Sequence, residues 1–207
     1  MSREERRQKE REERKEMVRH RSRLIASRQY PYDRCLIGES WENLRLTTVI
    51  MTRLQPDGLL TMAGFLVDLG CLGIKDAFYK VDLAKSTFEE YLSEHHNEED
   101  PFVPCTPELA HQLIYGAKRY AKELGFRPHR DFRIVKLFLE PEDAYPPGDI
   151  EFGKNGKPYY FSTSHEDAKA VIKHLTKRLG PNGFEFIVGG PWEEYVENFG
   201  ESYQDLN

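Results

Sequence analysis

Leu46-Thr47-Thr48-Val49-Ile50-Met51-Thr52 is a run of β-branched and apolar residues. Side chains of this kind suit a pleated, half-buried strand. Gln55-Pro56-Asp57-Gly58 follows, and a proline at the second position of a four-residue turn presets the backbone angle that the turn needs. Leu59 to Asp68 is then the returning strand of an antiparallel hairpin. Gly70-Cys71-Leu72-Gly73 breaks that strand, and Ile74 to Tyr79 is expected as a short helix.

Downstream, Ser86-Thr87-Phe88-Glu89 has capping-box spacing and opens a helix with Phe88, Tyr91, Leu92 and His95 along one side. His95 to Asp100, followed by Pro101, is an exposed loop. Thr106 as N-cap and Pro107 at the first helical position start a helix over 107–124, with Leu109, Leu113, Ile114, Ala117, Tyr120, Ala121 and Leu124 at helical spacing and Gly125 as its stop. Phe132 to Leu139 is expected as a strand, and Asp149 to Phe161 as a second hairpin turning at Asn155-Gly156. Thr163-Ser164-His165-Glu166 caps a helix carrying Ala168, Val171, Ile172, Leu175 and Leu179, which Gly180-Pro181 ends. Phe184 to Val188 is a last strand. Pro191 starts a short helix with Trp192, Tyr195, Val196 and Phe199 as its apolar face. This order predicts an α+β fold with a largely antiparallel sheet and helices mainly on one face.

Upstream of the hairpin, a loop carries Tyr30-Pro31-Tyr32 and Trp41, and before it the composition changes. Residues 1–28 hold eleven Lys/Arg against six Glu, and the rest of the chain holds nineteen basic against twenty-nine acidic residues. The net charge of −5 therefore blends a basic arm with an acidic body. Residues 2–23 contain no Gly or Pro, and Glu5 to Lys9 and Glu10 to Arg14 are i,i+4 pairs in the favourable order, so the arm is helical. It has no apolar stripe to bury. Only Met17, Val18, Leu24 and Ile25, at its end, are available to dock it. The chain thus divides into a charged basic helical arm over 1–28 and a single α+β domain over 29–207.

The segments Phe65 to Phe78 (FLVDLGCLGIKDAF) and Tyr115 to Phe132 (YGAKRYAKELGFRPHRDF) resemble sequence blocks of a bacterial family of uncharacterised cytoplasmic proteins. The resemblance spans about 40–160 and excludes the arm. It implies a bacterial source, and it carries no activity, cofactor or catalytic residue. A cytoplasmic location also fits the absence of a long apolar run and the odd, widely spaced Cys35, Cys71 and Cys105, which are expected as reduced thiols.

Three groups of residues bear on chemistry. Asp68 and Asp76 flank a glycine-rich strand end, where carboxylates hold Mg²⁺ or Mn²⁺ in metal-dependent nucleases and hydrolases, with Asp131, Glu108 or Glu151 to complete a set. The structural alternative is that Asp68 caps the turn and Asp76 pairs with Lys75 or Arg130. Cys71 sits between glycines as a nucleophile on a sharp turn would, with His111, His129 or His165 as a base. Leu69, however, stands where a nucleophile elbow needs glycine, and a small buried thiol is the alternative. His95-His96, His129-Arg130-Asp131 and His165-Glu166-Asp167 lack the spacing of a helical zinc pair, and no phosphate-binding glycine loop is present beyond a Gly70-x-x-Gly73 pattern of the kind that clamps RNA backbones.

The arm is the stronger signal. Arg6, Arg7, Arg11, Arg14, Arg19, Arg21 and Arg23 are candidates to neutralise nucleic-acid phosphates, tempered by the interleaved Glu. Tyr30, Tyr32 and Trp41 are candidates to stack on bases. Lys118, Arg119, Lys122, Arg127 and Arg130 form a possible second basic patch. The sequence therefore predicts an accessory protein contacting RNA or a ribonucleoprotein, with no cofactor required and no membrane contact. A metal-dependent hydrolase using Asp68 and Asp76, and a module whose arm docks on a protein, are the alternatives.

Overall fold

The computed structural model describes residues 3–162 and 167–188. In chain order its elements are α1 (Arg3–Ala26), a 3-10 turn (Ser27–Gln29), β1 (Tyr32–Gly38), α2 (Trp41–Leu44), β2 (Leu46–Leu54), β3 (Leu60–Asp68), β4 (Gly73–Leu83), α3 (Lys85–Glu94), β5 (Phe102–Pro104), α4 (Pro107–Glu123), α5 (Phe132–Val135), a second 3-10 turn (Lys136–Phe138), β6 (Tyr159–Ser162), α6 (Ala168–Leu179) and β7 (Glu185–Val188). Strands β1 to β5 make one antiparallel sheet in the spatial order β4-β3-β2-β1-β5. The fold is α+β, preceded by an N-terminal helix. No helix among the described residues is long and apolar enough to cross a membrane.

The hairpin of β2 and β3 is the centre of this sheet, in register from Leu46 opposite Asp68 to Leu54 opposite Leu60. Its turn closes where the Gly58 amide donates to the Gln55 carbonyl (3.0 Å) and the Leu59 amide to Asp57 Oδ1 (3.1 Å). Gly58 takes a φ of +83°, which a side chain would resist. Alternation along the strands sends Val49, Met51, Ala63, Phe65 and Val67 to one face, where they pack against Ala110, Leu113, Ile114 and Ala117 of α4 and against Phe132, Val135 and Phe138. Ile50, Leu60 and Met62 point the other way and are covered by Phe88 of α3. Helices therefore lie mainly, though not wholly, on one face.

Several expected elements take a different form. Ile74 to Tyr79 is not a helix: it belongs to β4, with Ala77 opposite Phe65 and Phe78 opposite Gly64, because β3 offers it a full ladder of hydrogen bonds. Residues 32–38, expected in a loop, form β1. Residues 132–138 are helical rather than extended: Phe132, Val135 and Phe138 are all buried, and their three-residue spacing suits a helix. The second hairpin is replaced by a tight turn at Asn155-Gly156 that closes a single bridge between Lys154 and Lys157. Its outgoing strand, β6, pairs in parallel with β7 across α6 instead. The N-cap of α3 is Ala84 with no side-chain bond, so the capping box at Ser86 is not used. Asp167 caps α6 by accepting from the Ala170 amide (3.0 Å). The expected cap at 163–166 and the helix at 191–199 lie outside the described residues.

Helix α4 matches expectation closely. Thr106 Oγ1 accepts from the Leu109 amide (3.1 Å), and Gly125 follows its end at φ +88°. Side chains of α6 complete that end: His174 Nε2 lies 2.8 Å from the Leu124 carbonyl, and Arg178 donates to the Glu123 carbonyl (2.5 Å). A second, smaller core joins α6 to the Leu69–Leu72 turn through Cys71, Leu124, Tyr160, Ile172, Leu175 and Phe184.

The close approach of β4 to α4 rests on Gly73. Its φ is +73°, and a Cβ there would lie 2.7 Å from the Ala121 Cβ and 3.0 Å from the Ala117 carbonyl oxygen. Gly73→Ala is expected to destabilise the protein by about 2 kcal/mol, read as a lowered Tm, because backbone strain adds to overpacking. A Tm within a degree of the parent would show that the contact yields freely.

Candidate functional site

Helix α1 runs for 24 residues, about 36 Å, and its described side chains are exposed as far as Arg19. At roughly 100° per residue, Arg3, Arg7, Arg11, Arg14 and Arg21 fall within about 60° of one line along the helix, together with Val18 and Ile25. Glu5, Glu12 and Glu16 fall on the opposite side. The five arginines thus share one side, edged by Glu4 and Glu10, and the opposite side mixes Glu5, Glu12 and Glu16 with Lys9 and Arg23. Arg6, Arg19 and Arg23 lie off the stripe. Arg6 pairs with Glu10 (3.3 Å) and Arg23 with Asp82 of β4. Arg7, Arg11 and Arg14 form no ion pair among the described residues. Of the four apolar side chains expected to dock the arm, only Leu24 is buried; Met17 shares its side of the helix two turns earlier and remains exposed, as do Val18 and Ile25.

The root of the arm is held by a residue that belongs to no sequence motif. Arg53, at the end of β2 and in phase with Val49 and Met51, is 2% exposed. Its guanidinium donates to the carbonyls of Tyr30 (2.6 Å) and Arg28 (3.3 Å), to that of Phe138 (3.4 Å) and to Glu140 Oε1 (2.6 Å). It lies 3.8 Å from the centre of the Tyr32 ring, and Tyr32 packs edge-on against Phe138. Burial raises the Tyr32 hydroxyl's pKa well above its ordinary value. Tyr32 is therefore part of the core and is not open for stacking. Trp41 packs against the same core. The sequence signal for Arg53 was its place in the period-two pattern of a buried strand.

The carboxylate candidates are dispersed. Asp68 is buried and accepts from the Cys71 amide (2.8 Å), so it caps the turn between β3 and β4. Asp76 and Asp131 meet at His129, whose Nδ1 lies 3.3 and 3.8 Å from them. Glu108 accepts from Gln112 (3.3 Å), and Glu151 pairs with Arg45. Among the described residues no three His, Cys, Asp or Glu side chains are grouped to hold a metal ion. Cys71 is buried beside Leu124 and Tyr120, near the end of α4 away from His111. His95 stacks on Tyr91, and its Nδ1 lies 2.8 Å from the Tyr91 carbonyl oxygen. His165 lies outside the described residues. In the second basic patch, Lys118 and Arg119 both pair with Glu142, while Lys122 and Arg127 are exposed. Burial alone would raise the Glu142 pKa, but the bonds from Lys118 and Arg119 outweigh it and hold the carboxyl below its usual range.

A cleft of about 450 Å³ opens between α4 and the segment that follows Glu140, lined by His111, Gln112, Tyr115, Arg119 and Tyr145 among others. His111 is 2% exposed, with Nε2 2.9 Å from the Pro141 carbonyl oxygen and 3.3 Å from that of Glu140. Carbonyls only accept, so Nε2 carries the proton and Nδ1 presents a lone pair. Desolvation lowers the His111 pKa despite these carbonyls. Burial pushes the Tyr115 hydroxyl up to about 12, and this group donates weakly to the Glu140 carbonyl (3.4 Å). The ring of His111 lies 4.5 Å from that of Tyr115 and 5.0 Å from that of Tyr145.

The lowered His111 pKa has a consequence for stability. Below about pH 6.5 the unfolded chain takes up a proton that the folded chain refuses, so the stabilisation is present above that pH and is lost as pH falls towards the folded value. Between pH 7.5 and 5.5 the parent should therefore lose more unfolding free energy than His111→Gln in denaturant titrations. Equal losses would show that His111 is indifferent to its charge. Comparison of the chain with protein-family models, curated proteins and solved structures returns no match.

Proposed function

We propose that this chain is an accessory protein of the bacterial cytoplasm that contacts RNA, free or within a ribonucleoprotein, through the arginine stripe of α1. The observation that carries this reading is the clustering of arginine on that helix: Arg3, Arg7, Arg11, Arg14 and Arg21 share an exposed face, and Glu5, Glu12 and Glu16 occupy the back. A cationic face displaces counterions from a phosphate backbone, whereas a helix of evenly mixed charge does not. The root of the helix is anchored, because Arg53 ties the Arg28 and Tyr30 carbonyls to β2 and Arg23 ties the helix to β4, and the stripe extends from that root with its side chains exposed.

The experiment is recovery of tagged full-length protein from cells, with and without ribonuclease, followed by analysis of what co-purifies. RNA or a ribonucleoprotein that accompanies the protein and disappears after ribonuclease supports the reading. Recovery of a protein partner that ribonuclease leaves in place, with no RNA, would assign the stripe to a protein surface instead.

A further inference from the structure

We infer that the cleft beside the arm's root binds a nucleobase, received from the strand that follows the arginine stripe. The inference rests on the RNA reading for the route by which the base arrives, and on the cleft's own chemistry for what it accepts.

The cleft adjoins the root of the arm. Arg28, just past α1, reaches Glu140 (3.8 Å), and the Glu140 carbonyl also receives His111 and Tyr115 at the cleft wall. Glu140 is thus the residue shared by the root of α1 and the cleft wall, and it is there that a strand bound along α1 would reach the opening. The volume is within the range of small-molecule sites.

The lining specifies the ligand class. Tyr145, half-buried at the cleft, supplies aromatic surface, and stacking on such a ring is the general means of holding an unpaired base. The charges nearby offset one another, since Glu142 and Asp143 stand against Lys118 and Arg119, so the site does not call for an ionised ligand. His111 supplies the polar contact. Its Nε2–H is committed to backbone carbonyls, which leaves Nδ1 as the acceptor of a side chain that lines the cleft. That lone pair takes a donor, and a flat neutral ring bearing an N–H, such as the exocyclic amine of adenine, fits both requirements. An anion does not, because a lone pair repels it.

The test uses the full chain and three probes: adenosine 5′-monophosphate, a twelve-nucleotide oligoadenylate, and an abasic oligomer of the same length. The oligoadenylate should bind about tenfold tighter than the abasic oligomer, and Tyr145→Ala should erase that preference while leaving abasic binding unchanged. Tyr145 is on a partly exposed loop. In NMR titrations the monophosphate should move the His111 imidazole resonances. No preference for the based oligomer, or a preference that survives Tyr145→Ala, overturns the inference even if both oligomers bind through the stripe. If neither oligomer binds, the RNA reading has failed by itself, and the monophosphate decides: a His111 shift supports a free nucleotide as the source of the base, and no shift overturns the site.

Discussion

Arg53→Ala should lower the unfolding free energy by about 3 kcal/mol, the low end of what removing one partner of a buried ion pair costs. The low end is appropriate because Glu140 is only partly buried and regains water when its partner leaves. The carbonyls of Arg28, Tyr30 and Phe138 lose a donor at the same time, and the Tyr32 face loses its cation. Arg53→Lys should recover little of the loss, since an ammonium lacks the planar fork that reaches all four acceptors. Denaturant titration measures the size of the effect. Amide exchange locates it, with protection falling over residues 24–30 and near Phe138 ahead of the rest of the sheet. A loss below about 1 kcal/mol with unchanged exchange at the root would show that the arm's attachment rests on Leu24 and Arg23.

Reversing three charges on the stripe and three off it separates geometry from net charge. Arg7, Arg11 and Arg14 changed together to Glu should weaken single-stranded RNA binding by at least a hundredfold near 0.1 M salt. The slope of log K against log salt should become shallower by about 2, at roughly 0.7 for each phosphate that is no longer neutralised. Arg6, Lys9 and Arg19 changed to Glu alter the total charge by the same amount but leave the face intact, so the loss should stay below tenfold. Equal losses in both triple variants, measured by fluorescence anisotropy across a salt series, would mean that the arm acts as a diffuse cation and that the clustering of arginine on the helix is incidental.

The fold was legible where local chemistry and long-range packing agree. Thr106, Pro107 and Gly125 bound α4 with their own side chains and backbone angles, and the strand run 46–52 with the turn 55–58 announces the hairpin of β2 and β3 without reference to anything distant. The failures are short apolar segments. Ile74 to Tyr79 and Phe132 to Leu139 are each six to eight residues long, a length over which periods of 2 and 3.6 are hard to separate. β3 drew the first into a ladder, and the core beneath α4 received the second as a helix. The parallel pairing of β6 with β7 had no local signal either, since the Asn155-Gly156 turn pointed to an antiparallel partner.

The candidate sites divide in the same way. That the arm is basic, helical over residues 3–26 and without an apolar face followed from the sequence alone, because composition and i,i+4 spacing are local properties. The alignment of five arginines on one exposed side depended on those residues being one continuous helix with Leu24 buried. Arg53 and the cleft at His111 were decided by tertiary structure. Their partners lie 23 to 87 residues away for Arg53 and about 30 for His111. A side chain's burial, and hence the value of its hydrogen bonds and the state of its protons, is set by whatever packs over it, and no stretch of sequence around the residue contains that neighbour.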